Sequence, residues 1–181
     1  RISGQRASPG FGIGRARVVR PPVDMDSIEI VTAEDPARER ARFDRALAIA
    51  VTDVEATRQR MRALIPEIAG AMYDTLRMVM EDASFARRVR EEISAGLTTE
   101  SALKIVVTEY VRRFQNIDDK YLRERAVDVR DAGQRILRHV MGVEGVAPDL
   151  GEDGVLVAKE LTLSDLASVD HAKLRGIVTA S

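Results

Sequence analysis

The 181-residue sequence contains no cysteine and no tryptophan, and aromatic residues make up only 4% of it. Without cysteine the chain can form neither a disulfide nor a thiolate metal site. With so few aromatic residues, the interior must be built from Ala, Val, Leu, Ile and Met, which suits helix packing better than a β-sandwich. Lys and Arg number 28 against 29 Asp and Glu, so the chain also lacks the basic excess of a dedicated nucleic-acid-binding protein.

The chain has no long apolar run either. A membrane-spanning helix needs roughly 20 consecutive apolar residues, and no segment comes close to that length. No signal peptide opens the sequence. We therefore expect a cytoplasmic protein without a membrane partner. Because the first residue is Arg1 rather than Met, we also expect that a segment upstream has been removed.

Hydrophobic periodicity divides the sequence into three zones. Alternation predicts a strand from about Ile13 to Val19, which a Pro-Pro pair then ends. From about Asp35 to Gly142 the apolar residues recur at helical spacing. The middle zone is therefore predicted to be nearly all helix.

The third zone returns to a β-α-β rhythm. "GVLVAKEL" predicts a short strand, Thr162 opens a capping box that predicts a helix to about Val169, and "KLRGIVTAS" predicts a terminal strand. We interpret 1–21 plus 146–181 as one small α/β domain and 22–145 as a helical domain inserted into it. The predicted fold is mixed α and α/β, mostly α, with a helical hairpin or four-helix bundle as the insert.

Turn and cap signals predict where the helices begin and end. Asp35 followed by Pro36 supplies a capping carboxylate and then proline at the first helical position. Pro66 marks the joint between the first two helices. The further signals are Asp82 or Ser84 as a start, Gly96 as an end, Thr98 or Thr99 as a start, Asn116–Asp119 as a joint and Gly142 as the last end.

Along the first helix, apolar residues step alternately by four and three positions. This heptad seam is suited to packing along another long helix. It comprises Phe43, Leu47, Ala50, Val54, Thr57, Met61 and Leu64.

A glycine-spaced run and two histidines could suggest nucleotide binding or a metal site, but their sequence contexts do not support either. The glycines Gly10, Gly12 and Gly14 lack both the spacing of a dinucleotide-binding fingerprint and the Lys-Ser/Thr of a P-loop, so a turn entering a strand explains them better. His139 and His171 are the two histidines, and neither lies near His, Asp or Glu at metal-ligand spacing. We predict that both are solvated surface residues and that the chain holds no metal.

The stretch "DDKYLRERAVDVRDAGQRIL" alternates acidic and basic residues with small ones. A solvated helix carrying i,i+4 ion pairs accounts for the charges. It does not account for Tyr121, Arg125 and Asp128, which share one helical face beside a stripe of apolar residues.

"YLRERAVDVRDAGQRIL", with "ASPGFGIGRA" near the start and "AKELTLSDL" near the end, resembles the N-terminal part of enzyme I of the phosphoenolpyruvate:sugar phosphotransferase system. The order and spacing of these segments match across essentially the whole chain. The resemblance implies a small α/β phosphohistidine (swivelling) domain with an inserted helical domain that binds the carrier protein HPr.

The resemblance also implies a reaction. The family takes a phosphoryl group from phosphoenolpyruvate, holds it on a histidine and passes it to a histidine of HPr. That histidine is expected just after Ser181, so we expect no catalytic residue in this chain. The phosphoenolpyruvate-binding domain, its Mg²⁺ and the dimerisation region are expected further downstream, which implies a homodimer for the complete enzyme and a monomer for this chain.

What remains for this chain is carrier docking on the helical insert. Carried over from the resemblance, the docking residues are Leu76, Val79, Asp82, Phe85, Phe114, Tyr121 and Arg125. Apolar anchors ringed by charge are typical of an interface. For Leu76, Val79 and Phe114 the alternative is that they fill the bundle core, since helical spacing cannot separate the two roles. Thr162 stands where a hydroxyl supports the active histidine, although a plain N-cap also accounts for it.

One departure bears on the choice of carrier. The sugar branch of the family has a histidine at the place of Leu76 and a more acidic second helix, whereas this sequence carries Arg77, Arg87 and Arg88 nearby. Complementary charge sets partner choice. The departure therefore favours the nitrogen-related branch, whose carrier is a paralogue of HPr.

Two other classes of protein remain as alternatives. A non-enzymatic helical scaffold or coiled-coil adaptor would use the heptad seam for self-association, but it would not need α/β segments at both ends. Pyruvate phosphate dikinase shares the phosphohistidine domain without this form of helical insert, and we rank it last.

Overall fold

The computed structural model describes residues 4–19, 23–64, 66–143, 149–158, 161, 166 and 168–180. The chain divides into two compact units, Arg1–Pro21 with Val146–Ser181 and Pro22–Gly145. The described residues are mostly helical, with one small parallel sheet. Within these ranges no helix combines the length and the apolar character that crossing a bilayer requires.

The Pro22–Gly145 unit is built from helices, as the periodicity predicts. After a short 3-10 helix at Met25–Ser27, the helices are α1 Pro36–Leu64, α2 Pro66–Glu81, α3 Ala83–Ser94, α4 Thr99–Gln115 and α5 Lys120–Val140.

Local capping chemistry places these boundaries. Asp35 Oδ1 accepts a hydrogen bond from the Arg38 backbone N–H at 3.0 Å, and the Thr98 side chain accepts one from the Ser101 N–H. Gly96, just beyond α3, has a φ of +100° that residues other than glycine rarely adopt. The predicted start, joint and end signals of the helical zone are therefore confirmed.

The seam on α1 is buried inside this unit. Five of its members, Phe43, Ala50, Val54, Thr57 and Met61, are buried, and Leu47 is half-buried; the Leu64 side chain lies outside the described part. The helix packs on α2 and α5 of the same chain. The seam is thus satisfied within the bundle, which argues against the adaptor alternative.

The other unit holds a three-stranded parallel sheet in the order β1 (Arg15–Val19), β2 (Gly154–Ala158), β3 (Leu174–Thr179). β1 begins two residues later than the alternation predicts. One face of the sheet packs on a small core of Leu150, Leu156 and Val169, with Val19, Leu161 and Leu174 at its edge. Most of the helix predicted from Thr162 to Val169, Thr162 included, lies outside the described residues.

The glycine-spaced run before β1 is explained by close backbone approach. A Cβ atom at Gly12 would overlap the Arg175 carbonyl, and one at Gly14 would lie 2.9 Å from the Asp153 carbonyl oxygen. The Arg15 N–H donates to that Asp153 oxygen at 3.0 Å. These glycines therefore let the chain cross the sheet and enter β1, as the turn interpretation predicts.

Candidate docking site

The predicted docking residues lie on α2, α3, α4 and α5, and two of them are in the core. Leu76 on α2 is 1% exposed and Phe85 on α3 is 0% exposed. The Phe85 ring meets the Tyr110 ring edge-on, with the centroids 5.6 Å apart. Both side chains support the surface from beneath and present no area to a partner in this arrangement.

The outward side of α2 carries the apolar surface. Met78 and Val79 near the end of α2, and Asp82 just beyond it, are one to four positions apart and lie on one side. Thr75, three positions before Met78, is buried at 9% exposure. Val79 is half-buried, and Met78 is 67% exposed. Sequence reasoning missed Met78. The available signal was a large apolar side chain off the buried stripe that contains Leu76.

Asp82 joins α2 to α3 and caps α3. Its carboxylate accepts hydrogen bonds from the backbone N–H groups of Ser84 at 2.6 Å and Phe85 at 3.0 Å. Hydrogen bonds from the Ser84 side chain and from these N–H groups lower the pKa of Asp82. Asp82 is therefore a fixed, exposed negative charge at the start of a helix.

Arg125 on α5 ties that helix to α2. Its guanidinium donates to the Thr75 hydroxyl and, at 3.2 Å, to Asp128 Oδ2. Burial raises the pKa of Asp128 against the opposing effect of Arg125. The pairing holds both charged groups at the α2–α5 junction.

Two predicted residues are less well placed. Phe114 is half-buried one residue before the end of α4. The backbone of Tyr121 lies in α5, but its side chain is outside the described part.

We call Met78, Val79, Asp82 and Arg125 the α2–α5 surface. It combines an exposed and a half-buried apolar side chain with a fixed carboxylate and a guanidinium. An apolar centre with a polar rim is the composition of a protein-protein interface.

The two histidines lie elsewhere and differ in environment. His171 is exposed in the turn before β3, as predicted. The prediction for His139 was wrong, because its side chain is only 23% exposed and its Nε2 lies 2.9 Å from Asp53 Oδ2. Burial lowers the pKa of His139, although Asp53 opposes this. Among the described residues no three His, Cys, Asp or Glu side chains are grouped so that they could hold a metal ion.

Comparison with known proteins gives one consistent result. The profile of the family described as PEP-utilising enzyme, N-terminal, matches residues 3–125. The phosphoenolpyruvate-protein phosphotransferase of Streptococcus equinus is 32% identical over 181 residues, covering 98% of this chain and 31% of the relative. That of Staphylococcus aureus is 31% identical with the same coverage. The chain therefore spans about a third of the length of these curated relatives.

Two solved structures share the fold. A solution structure of an Enzyme I protein superposes with a TM-score of 0.76 at 28% identity, covering 96% of this chain and 71% of that chain. A structure described as the N-terminal domain of "Enzyme 1 - Nitrogen" has a TM-score of 0.70 at 30% identity, with the same coverage. The mostly helical fold with a small parallel sheet is the fold of these domains.

Proposed function

The chain belongs to the family of PEP-utilising enzymes, whose N-terminal region it matches, and we propose that it is the N-terminal region of a phosphoenolpyruvate-protein phosphotransferase that docks a small phosphocarrier, HPr or its nitrogen-branch paralogue. One observation carries the docking role. Met78 is 67% exposed on a helix whose opposite side is buried, directly beside polar groups that are held in fixed positions.

In this proposal the two units have different tasks. The Pro22–Gly145 unit is a carrier-binding insert, and the unit formed by both ends of the chain is part of an α/β phosphohistidine domain. Phosphoryl transfer between two histidines requires that the carrier be held in line with the donor, and positioning supplies most of the catalysis in such reactions. The α2–α5 surface would provide that positioning.

Neither histidine of this chain is proposed as the phosphoryl carrier. His139 is engaged with Asp53 inside the helical unit. His171 is exposed in the turn before β3, where the neighbouring Asp170 carboxylate is paired with Lys173 at 3.6 Å. The Mg²⁺ implied for the complete enzyme likewise finds no donor set in the described part of the chain, so no step is assigned to it here.

The nitrogen branch is the preferred assignment. Its support is the likeness to a domain described as the N-terminal domain of "Enzyme 1 - Nitrogen".

Calorimetric titration of the 181-residue chain with HPr and, separately, with its nitrogen-branch paralogue tests the proposal. Met78→Ala should weaken binding about tenfold, or about 1.4 kcal/mol, because burying a methionine side chain stabilises an interface by about 1.5–3 kcal/mol. Val127→Ala is the matched control. Val127 is 70% exposed on α5, two residues after Arg125, so it points to a different side of that helix.

The titrations distinguish docking at the α2–α5 surface from no docking. Saturable binding that Met78→Ala weakens and Val127→Ala does not would support docking at the α2–α5 surface, and the tighter carrier would identify the branch. No binding to either carrier, from a sample whose circular dichroism is helical, would refute the docking role and leave the family membership unchanged.

A further inference from the structure

The extended segment 28–33 is fixed to the beginning of α4 along one of its edges. The Val31 N–H donates to Ser101 Oγ at 2.8 Å, and the Val31 carbonyl accepts a hydrogen bond from the Thr98 N–H at 3.1 Å. Two residues further on, the Ala33 N–H donates at 2.8 Å to a carbonyl of the turn between α3 and α4. The backbone of this segment is therefore held in place by the helices behind it.

The opposite edge of the segment is open. Backbone groups alternate in direction along an extended chain, so the N–H and C=O groups of Ile30 and Thr32 point away from the edge that Val31 uses. Among the residues that the structure describes, these groups have no hydrogen-bond partner. An edge of this kind is a template on which another extended segment can pair.

A groove of about 540 Å³ lies between this segment and α4. Ile30, which is 53% exposed, forms one wall. On α4 the wall residues Ile105, Thr108 and Arg112 are spaced by three and four positions, so they share one side of the helix. We call Ile30, Lys104, Ile105, Thr108 and Arg112 the α4 groove, and none of them belongs to the α2–α5 surface.

Two basic side chains of the groove lack a carboxylate partner. Lys104 Nζ donates to the backbone carbonyls of Asp26 at 2.8 Å and Ile28 at 2.5 Å. Arg112 is exposed, and it forms no ion pair within the described part of the chain. Both cations are therefore available to a negatively charged group that enters the groove.

The rim of the groove does not neutralise these cations. Arg113 and Arg88 share the Glu109 carboxylate, at 2.5 and 3.4 Å respectively. Glu29, the acidic residue next to Ile30 on the extended segment, does not line the groove. Of the described side chains that line it, three are basic and one, the already paired Glu109, is acidic. Complementary charge therefore favours a partner that carries carboxylates.

We propose that the α4 groove binds an extended, acidic peptide segment of a protein partner. The segment pairs its backbone with the open groups of Ile30 and Thr32. It buries an apolar side chain between Ile30 and Ile105 and places a carboxylate at Arg112. In this mode of recognition the main-chain hydrogen bonds supply affinity, and the pockets for alternate side chains supply specificity. The inference does not rest on carrier docking, because the two surfaces share no residue.

NMR titration of the isotope-labelled 181-residue chain with a defined probe tests the proposal. The probe is a peptide of roughly eight residues that alternates valine and glutamate, and the control peptide has lysine in place of every glutamate. The acidic peptide should shift the amide resonances of Ile30 and Thr32 saturably, whereas the basic peptide should not. No saturable shift, equal shifts with both peptides, or shifts confined to other parts of the chain would overturn the proposal.

A matched pair of variants tests the role of Arg112. Arg112→Glu should weaken binding of the acidic peptide at least about fivefold, because it replaces an attraction by a repulsion. Arg87→Glu is the control, since Arg87 is an exposed arginine of α3, paired with Glu91 at 3.6 Å, that does not line the groove. It should leave the affinity within about twofold. Equal weakening by the two variants would show that the peptide responds only to the net charge of the chain, and the α4 groove would be excluded as its site.

Discussion

Glu39 offers the sharpest test of how the helical unit is held together. Its carboxylate is almost buried at the point where α1 meets the start of α4. It accepts hydrogen bonds from the Thr99 backbone N–H and hydroxyl, both at 2.9 Å, and pairs with Arg42 at 2.7 Å. Arg42 also donates to Glu100 at 2.6 Å. The Glu39 carboxylate thus accepts hydrogen bonds from the N-terminus of α4 and also pairs with the partly buried Arg42 guanidinium.

We expect Glu39→Gln to destabilise the protein by about 2 kcal/mol at pH 7. A hydrogen bond to a charged group contributes about 1.5–3 kcal/mol, and a carboxylate at a helix N-terminus adds a fraction of that. The glutamine side chain has nearly the same shape as glutamate but lacks the negative charge that interacts with Thr99 and Arg42. In a domain of this size the loss corresponds to a fall in Tm of about 4–8 °C.

The pKa of Glu39 determines how its contribution to stability changes with pH. Burial alone would raise the pKa of Glu39, but hydrogen bonds from Thr99 and the pairing with Arg42 outweigh it and hold the pKa below its ordinary value. The unfolded chain therefore binds the proton more readily. The stabilisation is complete above the ordinary pKa of a glutamate, about 4.3, and is lost as the pH falls through the lower folded pKa.

Urea unfolding followed by circular dichroism measures the effect, with Glu100→Gln as the control. Glu100 is bound by the same Arg42 but is more exposed, so its loss should cost less than about 1 kcal/mol. Equal destabilisation by the two variants at pH 7 would refute the argument, because it would show that the capping of α4 by Glu39 contributes nothing of its own.

Two further predictions concern the interior of the helical unit. Burial lowers the pKa of His139 against the effect of Asp53, so the unfolded chain binds this proton more readily and stability should fall as the pH drops from 7.5 to 5.5. His139→Asn should flatten this pH dependence. A His139 titration followed by NMR with its midpoint at or above pH 6.5 would contradict the prediction. Gly133→Ala would press a Cβ atom into the Val107 side chain and should cost about 1–3 kcal/mol in urea unfolding. At Gly70 on α2 an added Cβ atom would meet open space, so Gly70→Ala should instead stabilise the protein by up to about 1 kcal/mol. If both variants destabilise the protein, close packing at Gly133 is not the cause of its loss of stability.

Helix boundaries could be predicted from the sequence because their causes are local. Asp35 with Pro36, and Thr98 with the hydroxyl that caps α4, act within three residues along the chain. Such signals need no knowledge of the fold. The strands themselves were predictable for a similar reason, since short apolar runs bounded by turn signals indicate strands.

The exposure of individual helix residues could not be predicted in the same way. Leu76, Val79 and Phe114 all belong to apolar stripes at helical spacing, yet Leu76 is 1% exposed whereas Val79 and Phe114 are half-buried. Which side of α2 faces outward depends on where α1 and α5 pack, and that is a property of the whole unit.

The charges of α5 gave a false expectation for the same reason. The alternation of signs predicts a solvated helix, but Asp131 is 7% exposed and Arg135 is 4% exposed. Burial lowers the pKa of Arg135, and the neighbouring Asp131 opposes this. A sequence pattern shows that opposite charges alternate along a helix but not whether another helix covers them, so it cannot distinguish exposed charged side chains from buried ones.

On α2, the residues that stabilise the fold and the residues that a partner could contact lie on opposite sides of the helix. Its inner side, with Leu76 and Met80, is fully buried, so substitutions there change the fold before they change a partner. Its outer side exposes Met78, while Arg77 is paired with Glu81 and Glu55 rather than left free. Outward charges of α2 such as Arg77 can therefore be replaced without altering the packing beneath. Under the proposed docking function, substitutions at the exposed residues of the α2–α5 surface, such as Met78, should therefore alter carrier affinity at nearly constant unfolding free energy.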